Sequence, residues 1–297
     1  ECYEQIIADL TDAEKYAPDN DNSDRTKMTK TVAQAMLAKV YAEKEVQDYD
    51  KVITYADKVI KTTGVELEDS YETLWGYDET TKDCLKRNTK EGILEVHWTT
   101  GSGNWETWMY GRQLDNWDYY FTWAKWITPS RDIINDFEKE GDEIRKNQAI
   151  VYYACTWSNY YPASNYPFMY KLRSSYSNIY WIRLADIILM KAEAEAYKGN
   201  LDESAKLVNQ IRKRAKLKEL TSDKTNSKEA MIEAVLHERR LELAFEGERW
   251  FDLCRNNKVE KYLNGIDNRD KGRIKQVKLF DSNSYLLPIP QTALDQN

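Results

Sequence analysis

Glu238-Arg239-Arg240-Leu241-Glu242-Leu243-Ala244-Phe245-Glu246-Gly247-Glu248-Arg249-Trp250-Phe251-Asp252-Leu253 decides how this chain is read. The stretch has helical character, yet Glu238, Glu242 and Glu246 recur every four residues. That spacing stacks three like charges on one helix face, which disfavours an isolated helix. Either these carboxylates do chemistry, or they are paired with one another's neighbours and with groups elsewhere in a fold.

The bulk composition narrows the choice. A chain of 297 residues can bury one large core or two smaller ones. Its 41% hydrophobic fraction excludes a wholly disordered chain, and its net charge of −7 argues against a general nucleic-acid binder. No apolar run reaches the length of a membrane span. Glu1-Cys2-Tyr3-Glu4-Gln5 already starts a helical pattern, so these first residues are not expected to be a signal peptide. Cys2, Cys84, Cys155 and Cys254 are too scattered for a metal site, and only His97 and His237 could join them. Free buried thiols are the plain reading. The anomaly is aromatic: 10 Trp and 21 Tyr.

Working outward, the flanking segments read as helices. Ile6, Ile7 and Leu10 have helical spacing before Pro18. Thr29 can cap a helix carrying Val32, Met36, Leu37 and Val40. Val52, Ile53, Ala56, Val59 and Ile60 mark another, ending near Gly64. Further on, Ile182, Ala185, Leu189, Ala192 and Ala196 recur at steps of three and four, with Gly199 placed as a stop. Leu201, Ala205, Val208 and Ile211 continue on a new helix whose end collects Arg212, Lys213, Arg214 and Lys216, where the helix dipole favours cations. The two helix pairs, around Val40–Ala56 and Ala194–Ala205, share small residues at the crossing and a tyrosine near the turn. This is tetratricopeptide-like logic, although more than a hundred residues separate the units, which excludes a simple solenoid.

The intervening residues differ in kind. Gly92–Trp98 reads as a short strand. Residues 99–126 are aromatic and poor in aliphatics. Pro129–Phe137 returns to helix with Ser130 as its cap, and residues 152–180 read as tyrosine-rich loop. The expected fold is mainly α: a tetratricopeptide-like helical scaffold with a large irregular loop-rich insertion and few short strands.

The chain resembles the SusD/RagB family of surface glycan-binding lipoproteins. Arg183-Leu184-Ala185-Asp186-Ile187-Ile188-Leu189-Met190-Lys191-Ala192-Glu193-Ala194 looks like the family's central helix. Val208–Ala215 follows as the family pattern expects. Glu238–Arg240 through Glu246–Leu253 is the most distinctive signature, and Leu286-Leu287-Pro288-Ile289-Pro290-Gln291 is similar to the closing segment. Weaker matches run through Tyr3–Ile60 and Ile127–Arg145. The resemblance implies one SusD-like domain over residues 1–297. Residues 1–64 and 181–256 would form the helical scaffold, 65–180 the aromatic-rich insertion, and 257–297 a C-terminal segment. It further implies non-catalytic capture of oligosaccharide or polysaccharide on the outer surface of the bacterial outer membrane. The partner would be a SusC-like TonB-dependent outer-membrane transporter. Family members carry a signal peptide, a lipidated cysteine and a further helical region before the segment that begins here. The chain is therefore expected to be a truncated or processed product, with membrane contact only through a lipid anchor outside it. Cys2, inside a helix pattern, is not expected to be that anchor.

In this reading Glu238–Leu253 is scaffold. Glu242 is expected to pair with Arg239, and Glu246 with Arg249, each three residues apart. Other charges need partners on neighbouring helices. Gly247 is expected to end the helix, and Trp250, Phe251 and Leu253 to dock into the core.

Six tryptophans, Trp98, Trp105, Trp108, Trp117, Trp123 and Trp126, crowd the insertion with Tyr110, Tyr119 and Tyr120. Sugar rings present apolar C–H faces that stack on aromatic planes, while polar neighbours bind hydroxyls. Gly101, Gly103 and Gly111 point to loops, where binding residues concentrate. The candidate ligand contacts are Asn104, Trp105, Trp108, Arg112, Asn116, Trp117, Tyr119 and Tyr120. Trp98 reads as core on the strand, and Trp123 and Trp126 as packing before a helix. Tyr160, Tyr161 and Tyr166 form a second candidate rim, and Trp75 and Tyr77 could join either group.

Two other classes stay open. A glycoside hydrolase needs a pair of carboxylates, and Asp115 with Asp118 is the most tempting pair, though loop hydrogen bonding explains both. There is no Gly-rich phosphate loop and no Gly-x-Ser-x-Gly elbow. His97 and His237 read as structural. A helical scaffold binding a peptide or protein nutrient would not need the tryptophans. No cofactor is implied. A calcium ion could sit in Asp19-Asn20-Asp21-Asn22, whose plainer reading is a solvated loop.

Overall fold

The computed structural model describes residues 1–98, 104–112, 114, 127–156, 158, 160–272 and 275–295, with Trp108 by its backbone alone. The chain is mainly helical. It opens with α1 (Cys2–Tyr16), α2 (Lys30–Ala42) and α3 (Tyr49–Ile60). Thr29 caps α2, its hydroxyl accepting the Val32 N–H at 3.4 Å, and Asp48 caps α3 through Lys51 N–H at 3.1 Å. Next come α4 (Glu72–Trp75), the small hairpin β1 (Tyr77–Asp78) and β2 (Asp83–Cys84), and β3 (Gly92–Val96). The middle contains α5 (Trp105–Tyr110), α6 (Arg131–Glu140), α7 (Glu143–Ala149), β4 (Ile150–Tyr153), β5 (Tyr166–Met169) and β6 (Ile179–Arg183). The frame resumes with α8 (Leu184–Lys198), α9 (Leu201–Arg214), α10 (Ser222–Thr225), α11 (Lys228–Glu242), α12 (Arg249–Arg255) and α13 (Val259–Leu263).

The two distant helix pairs are neighbours in space. α3 packs on α8, so α1, α2, α3, α8 and α9 follow one another as a continuous layer, with α11 across α8 and α9. Ala35, Ala38, Ala56, Ala185, Ala192 and Ala196 are fully buried, which lets the helices approach closely. Tyr49 and Tyr197 stack with centroids 4.6 Å apart. Val59, Ile187, Ile188, Leu189, Val208, Ile211, Met231 and Val235 fill the core between the layers. Each such side chain contributes about 1.5–3 kcal/mol by leaving water. The sequence separation of the pairs had excluded a simple solenoid; the insertion is looped out so that they stack.

The insertion is closed at its base by β3 and β6, which pair antiparallel from Gly92 opposite Arg183 to Val96 opposite Ile179. Trp98 lies beyond β3, half-buried, so it does not continue the strand. Residues 152–180 are less loop-like than expected. β4 and β5 form an antiparallel hairpin, Ile150 opposite Met169 and Tyr153 opposite Tyr166. All four residues of β5 are buried, so no alternation betrays the strand. Ser130 caps α6 as expected, accepting Ile133 N–H at 3.2 Å, and Gly199 ends α8 at φ 85°.

Four expectations need correction. The thiols are all free, but only Cys155 is buried, and Cys2 is exposed at the start of α1. The Asp19–Asn22 run is more than a solvated loop. Asn20 and Asn22 accept hydrogen bonds from the buried Arg25 guanidinium at 2.5 and 2.9 Å, while Lys27 pairs with Asp21 and Lys30 with Asp19. Among the described residues no cluster of His, Cys, Asp and Glu could hold a metal ion. The helix of the opening stretch ends at Glu242, not at Gly247, because Phe245 turns the chain at φ 67° before Gly247 does so at φ 90°. Finally, Leu253 is fully buried and Trp250 leans on Phe280 at 5.8 Å, but Phe251 is 56% exposed.

Candidate functional site

The three stacked glutamates are met from other elements, not from their own. Glu238 receives Arg145 at 2.7 Å and Arg212 at 2.9 Å. Glu242 receives Arg183 at 2.6 Å, Arg145 at 3.1 Å and Arg214. Glu246 receives Lys171 at 2.5 Å and Arg183 at 2.6 Å. The expected pairs of Glu242 with Arg239 and Glu246 with Arg249 do not form. Arg239 instead donates to Asp186 at 2.7 Å and Asp252 at 2.9 Å, and Arg249 to the Leu236 carbonyl at 3.0 Å. Burial alone would raise the Glu242 pKa, but Arg214, Arg183 and Arg145 override it and hold the carboxyl well below its ordinary range. Asp186 follows the same logic: burial opposes ionisation, and Lys39 and Arg239 enforce it. These groups are structural, since every carboxylate here is committed to cations.

α5 stands on this base. Asn104 is buried, and its side-chain oxygen accepts Glu106 N–H at 2.8 Å and Thr107 N–H at 3.2 Å. Its amide donates to the Ser177 carbonyl at 3.2 Å. Backbone hydrogen bonds tie both ends of the segment to residues 169–175: Asn104 N–H to Ser175 at 2.7 Å, Arg112 N–H to Met169 at 3.0 Å and Leu114 N–H to Arg173 at 2.7 Å. Asn104 is therefore a cap that fixes α5, with its carboxamide engaged inside the chain. Trp105, the first residue of the helix, is 67% exposed. The Arg112 guanidinium lies 4.2 Å from the Tyr153 ring centroid. Trp108 lies on α5; Asn116, Trp117, Tyr119 and Tyr120 lie outside the described residues, as do Asp115 and Asp118.

The other aromatic candidates divide. Trp75 is buried against Tyr180, edge to face at 5.1 Å, with Lys171 4.7 Å above its ring. Tyr160, Tyr161 and Tyr166 are engaged within the chain. They pack edge to face on one another at 4.7 and 5.9 Å, Arg131 covers Tyr160 and Tyr161, and Tyr166 is buried. His97 bonds Glu95 at 2.7 Å and His237 bonds Glu140 at 3.1 Å, consistent with structural roles.

Two cavities border α5. One of about 260 Å³ is lined by Trp75, Glu106, Tyr110, Lys171, Tyr180, Phe245 and Glu246 among others. The second, about 490 Å³, shares Glu106, Ile179, Tyr180, Glu246 and Gly247 and extends to Met28, Met36, Trp181 and Phe251. Lys171 is fully buried. Burial pulls its pKa down to about 8 against the opposing pull of Glu246. Glu106 sits on the rim of both cavities, where partial desolvation raises its carboxyl pKa. Sequence reading missed Tyr153, Tyr170, Lys171 and Arg173, although the alternation Tyr170-Lys171-Leu172-Arg173 carried a signal of cations interleaved with aromatics.

A helical frame with an aromatic insertion closed by two strands defines a class, and comparison with known proteins makes it specific. The SusD family model matches residues 90–297, and the chain belongs to that family. It is similar to SusD-like protein P2 of Formosa agariphila, 27% identical over 339 residues, which span all of this chain and 63% of that protein. SusD-like protein P38 of the same organism is 39% identical over 104 residues, or 33% of this chain and 21% of that one. A SusD superfamily protein from Bacteroides vulgatus superposes with a TM-score of 0.74 at 25% identity, covering 98% of this chain and 65% of its own. Surface glycan-binding protein A from Bacteroides thetaiotaomicron, solved in complex with laminarihexaose, superposes with a TM-score of 0.73 at 17% identity, covering 99% and 68%. The chain thus spans less than two thirds of the length of P2 and of the B. vulgatus protein.

Proposed function

We propose that this chain is the glycan-binding part of a non-catalytic protein on the bacterial outer surface, which captures oligosaccharide at the insertion and delivers it to a SusC-like TonB-dependent transporter. The observation that carries the reading is Trp105, two-thirds exposed on a helix whose backbone is anchored at both ends. A rigid, exposed indole is a ready stacking surface for a sugar ring and loses little conformational freedom on binding. The relative solved with laminarihexaose supports a saccharide as the ligand class. Hydrolysis through an acid–base pair needs two available carboxylates. Three carboxylates line the two cavities among the described residues: Glu246 is bound to Lys171 and Arg183 and Glu248 to Lys39, which leaves Glu106 as a single carboxylate where a pair is needed and favours binding without turnover.

The test is a glycan array followed by titration calorimetry of each hit with the wild type and Trp105→Ala. Saturable binding that weakens about tenfold, with unchanged melting, supports the reading. Product release from a bound glycan would overturn the non-catalytic part, and no hit on the array would overturn the whole. One observation favours a protein-binding role beside it. Met28, Trp181 and Phe251 are 60%, 62% and 56% exposed around the larger cavity, an apolar face suited to a protein contact.

A further inference from the structure

Past the end of α5 opposite Trp105, the insertion assembles two guanidinium groups on two phenol rings. Arg112 lies 4.2 Å from the Tyr153 centroid, and Arg173 lies 3.8 Å from the Tyr170 centroid. The four side chains are mutual neighbours, since Tyr170 feels the charge of Arg173 and Arg112 as well as the Tyr153 phenol. They are built in, not draped on the surface. Arg173 is 5% exposed, and its Nε donates to the Tyr170 carbonyl at 2.7 Å. Its Nη2 donates to the Gln148 carbonyl and side-chain oxygen at 3.0 and 2.6 Å. Neutral oxygens thus fix the orientation of Arg173, while no carboxylate among the described residues pairs with it.

That is unlike the surroundings of α11, where buried Arg145, Arg183, Arg239 and Arg255 each meet at least two carboxylates. The electrostatic consequence is opposite in sign. Carboxylates raise the pKa of those four, whereas burial pushes Arg173 down to about 10 and lowers Arg112. For Arg173, nearby carboxylates among the described residues do not change this. Glu72 acts on Arg173 only from beyond pairing distance, and Glu79 is exposed and paired with Lys82 at 3.1 Å. A buried cation without a counter-charge is a costly arrangement that an incoming anion would relieve. Tyr153, 38% exposed, leaves the cluster open to solvent on one side.

We propose that Arg112, Tyr153, Tyr170 and Arg173 form a subsite for an oxyanion carried on a sugar, so that the glycan captured beside Trp105 is acidic. This rests on the glycan-binding reading and narrows its ligand class. Guanidinium groups suit carboxylate and sulfate alike, and a sugar ring presents either beside an apolar face that an aromatic ring can meet.

Titration calorimetry of the full chain with three probes decides the matter: an oligogalacturonate for carboxylate, a sulfated galactan oligosaccharide for sulfate, and neutral laminarihexaose. The expected result is that one acidic probe binds about tenfold or more tighter than the neutral one. That preference should shrink between about 50 and about 300 mM NaCl. Arg112→Gln should cut the preference about tenfold, and Arg173→Gln likewise. If Arg173→Gln fails to fold, Arg112→Gln and the salt series still decide. Which acidic probe binds identifies the oxyanion. Equal or tighter binding of laminarihexaose, or an acidic preference insensitive to Arg112→Gln, overturns the subsite and leaves glycan binding standing. Binding of none of the three, together with no hit on the array, overturns both.

Discussion

The helical frame and the insertion treat arginine in contrasting ways. Around α11, Arg145, Arg183, Arg239 and Arg255 are buried inside cages of Glu and Asp, and each cage draws on distant segments. Beside α5, Arg112 and Arg173 are stacked on tyrosines, and among the described residues Arg173 has only neutral acceptors. The charges of those four cages cancel internally, so they hold elements together and have nothing left for a ligand. Arg112 lies against the exposed Tyr153 ring and Arg173 against the half-buried Tyr170 ring, on the side of the insertion that faces solvent. The same residue type thus serves cohesion in one region and, in the proposed subsite, recognition in the other.

This contrast can be broken by experiment. The largest effect is expected in the frame. Glu242→Ala strips a shared carboxylate from Arg145, Arg183 and Arg214 and should lower unfolding free energy by about 3–5 kcal/mol, read from urea denaturation. Arg239→Ala should behave similarly by exposing Asp186 and Asp252 to each other, with stability falling before any ligand affinity does. A Glu242→Ala protein of normal stability that no longer binds glycan would erase the distinction.

Acid comes next. Glu242 and Asp186 have pKa values depressed in the folded chain, so their contribution is complete above the ordinary carboxylate range near about 4. It should be lost as pH falls through that range toward the folded values, by about 2–3 kcal/mol per carboxylate. Urea midpoints measured from neutral to acid pH should therefore drop steeply below about pH 4.

In the insertion, Trp105→Ala should cost about 1–2 kcal/mol of glycan affinity, while melting stays within error. Asn104→Ala should remove the α5 cap, with about 1 kcal/mol lost in stability and affinity weakened indirectly as the helix end frays. The smallest effect is at the end of α9. Lys216 occupies a left-handed position at φ 56°, with its N–H on Lys213 and that of Leu217 on Arg212. Glycine favours that geometry, so Lys216→Gly should raise the thermal midpoint slightly, equivalent to about 0.5–1 kcal/mol.

Local signals were legible and non-local ones were not. Thr29, Ser130 and Gly199 act where helix-end chemistry placed them, because capping is decided within a few residues. The partners of Glu242 were invisible, since Arg183 and Arg145 stand 59 and 97 residues away. Spacing along one helix offered Arg239 instead, which the fold spends on Asp186. The turn at Phe245 also escaped notice, because a bulky residue at positive φ has no sequence signature. At the candidate site the aromatic density near Trp105 was readable. The division of labour within it was not: Asn104 reads equally as a sugar ligand or a cap, and Arg173 gains its setting only when β5 folds against β4.

The antiparallel pairing of β3 with β6 has a consequence for how such a molecule can diversify. Gly92 and Arg183 are brought face to face, so everything between them leaves and re-enters the frame through one narrow stem. The excursion touches the frame again at α6 and Arg145, where Asp132 and Asp136 meet Arg240 and Arg145 meets Glu238, and at Lys171, which meets Glu246. Asn104, Arg112 and Leu114 are in turn hydrogen-bonded to residues 169–175, so α5 and that segment hold together as one unit. Chain length between such fixed points enters closure entropy only logarithmically. The stretches between the footholds can then be lengthened or shortened with small effect on the frame, which would let one architecture be refitted to new nutrients.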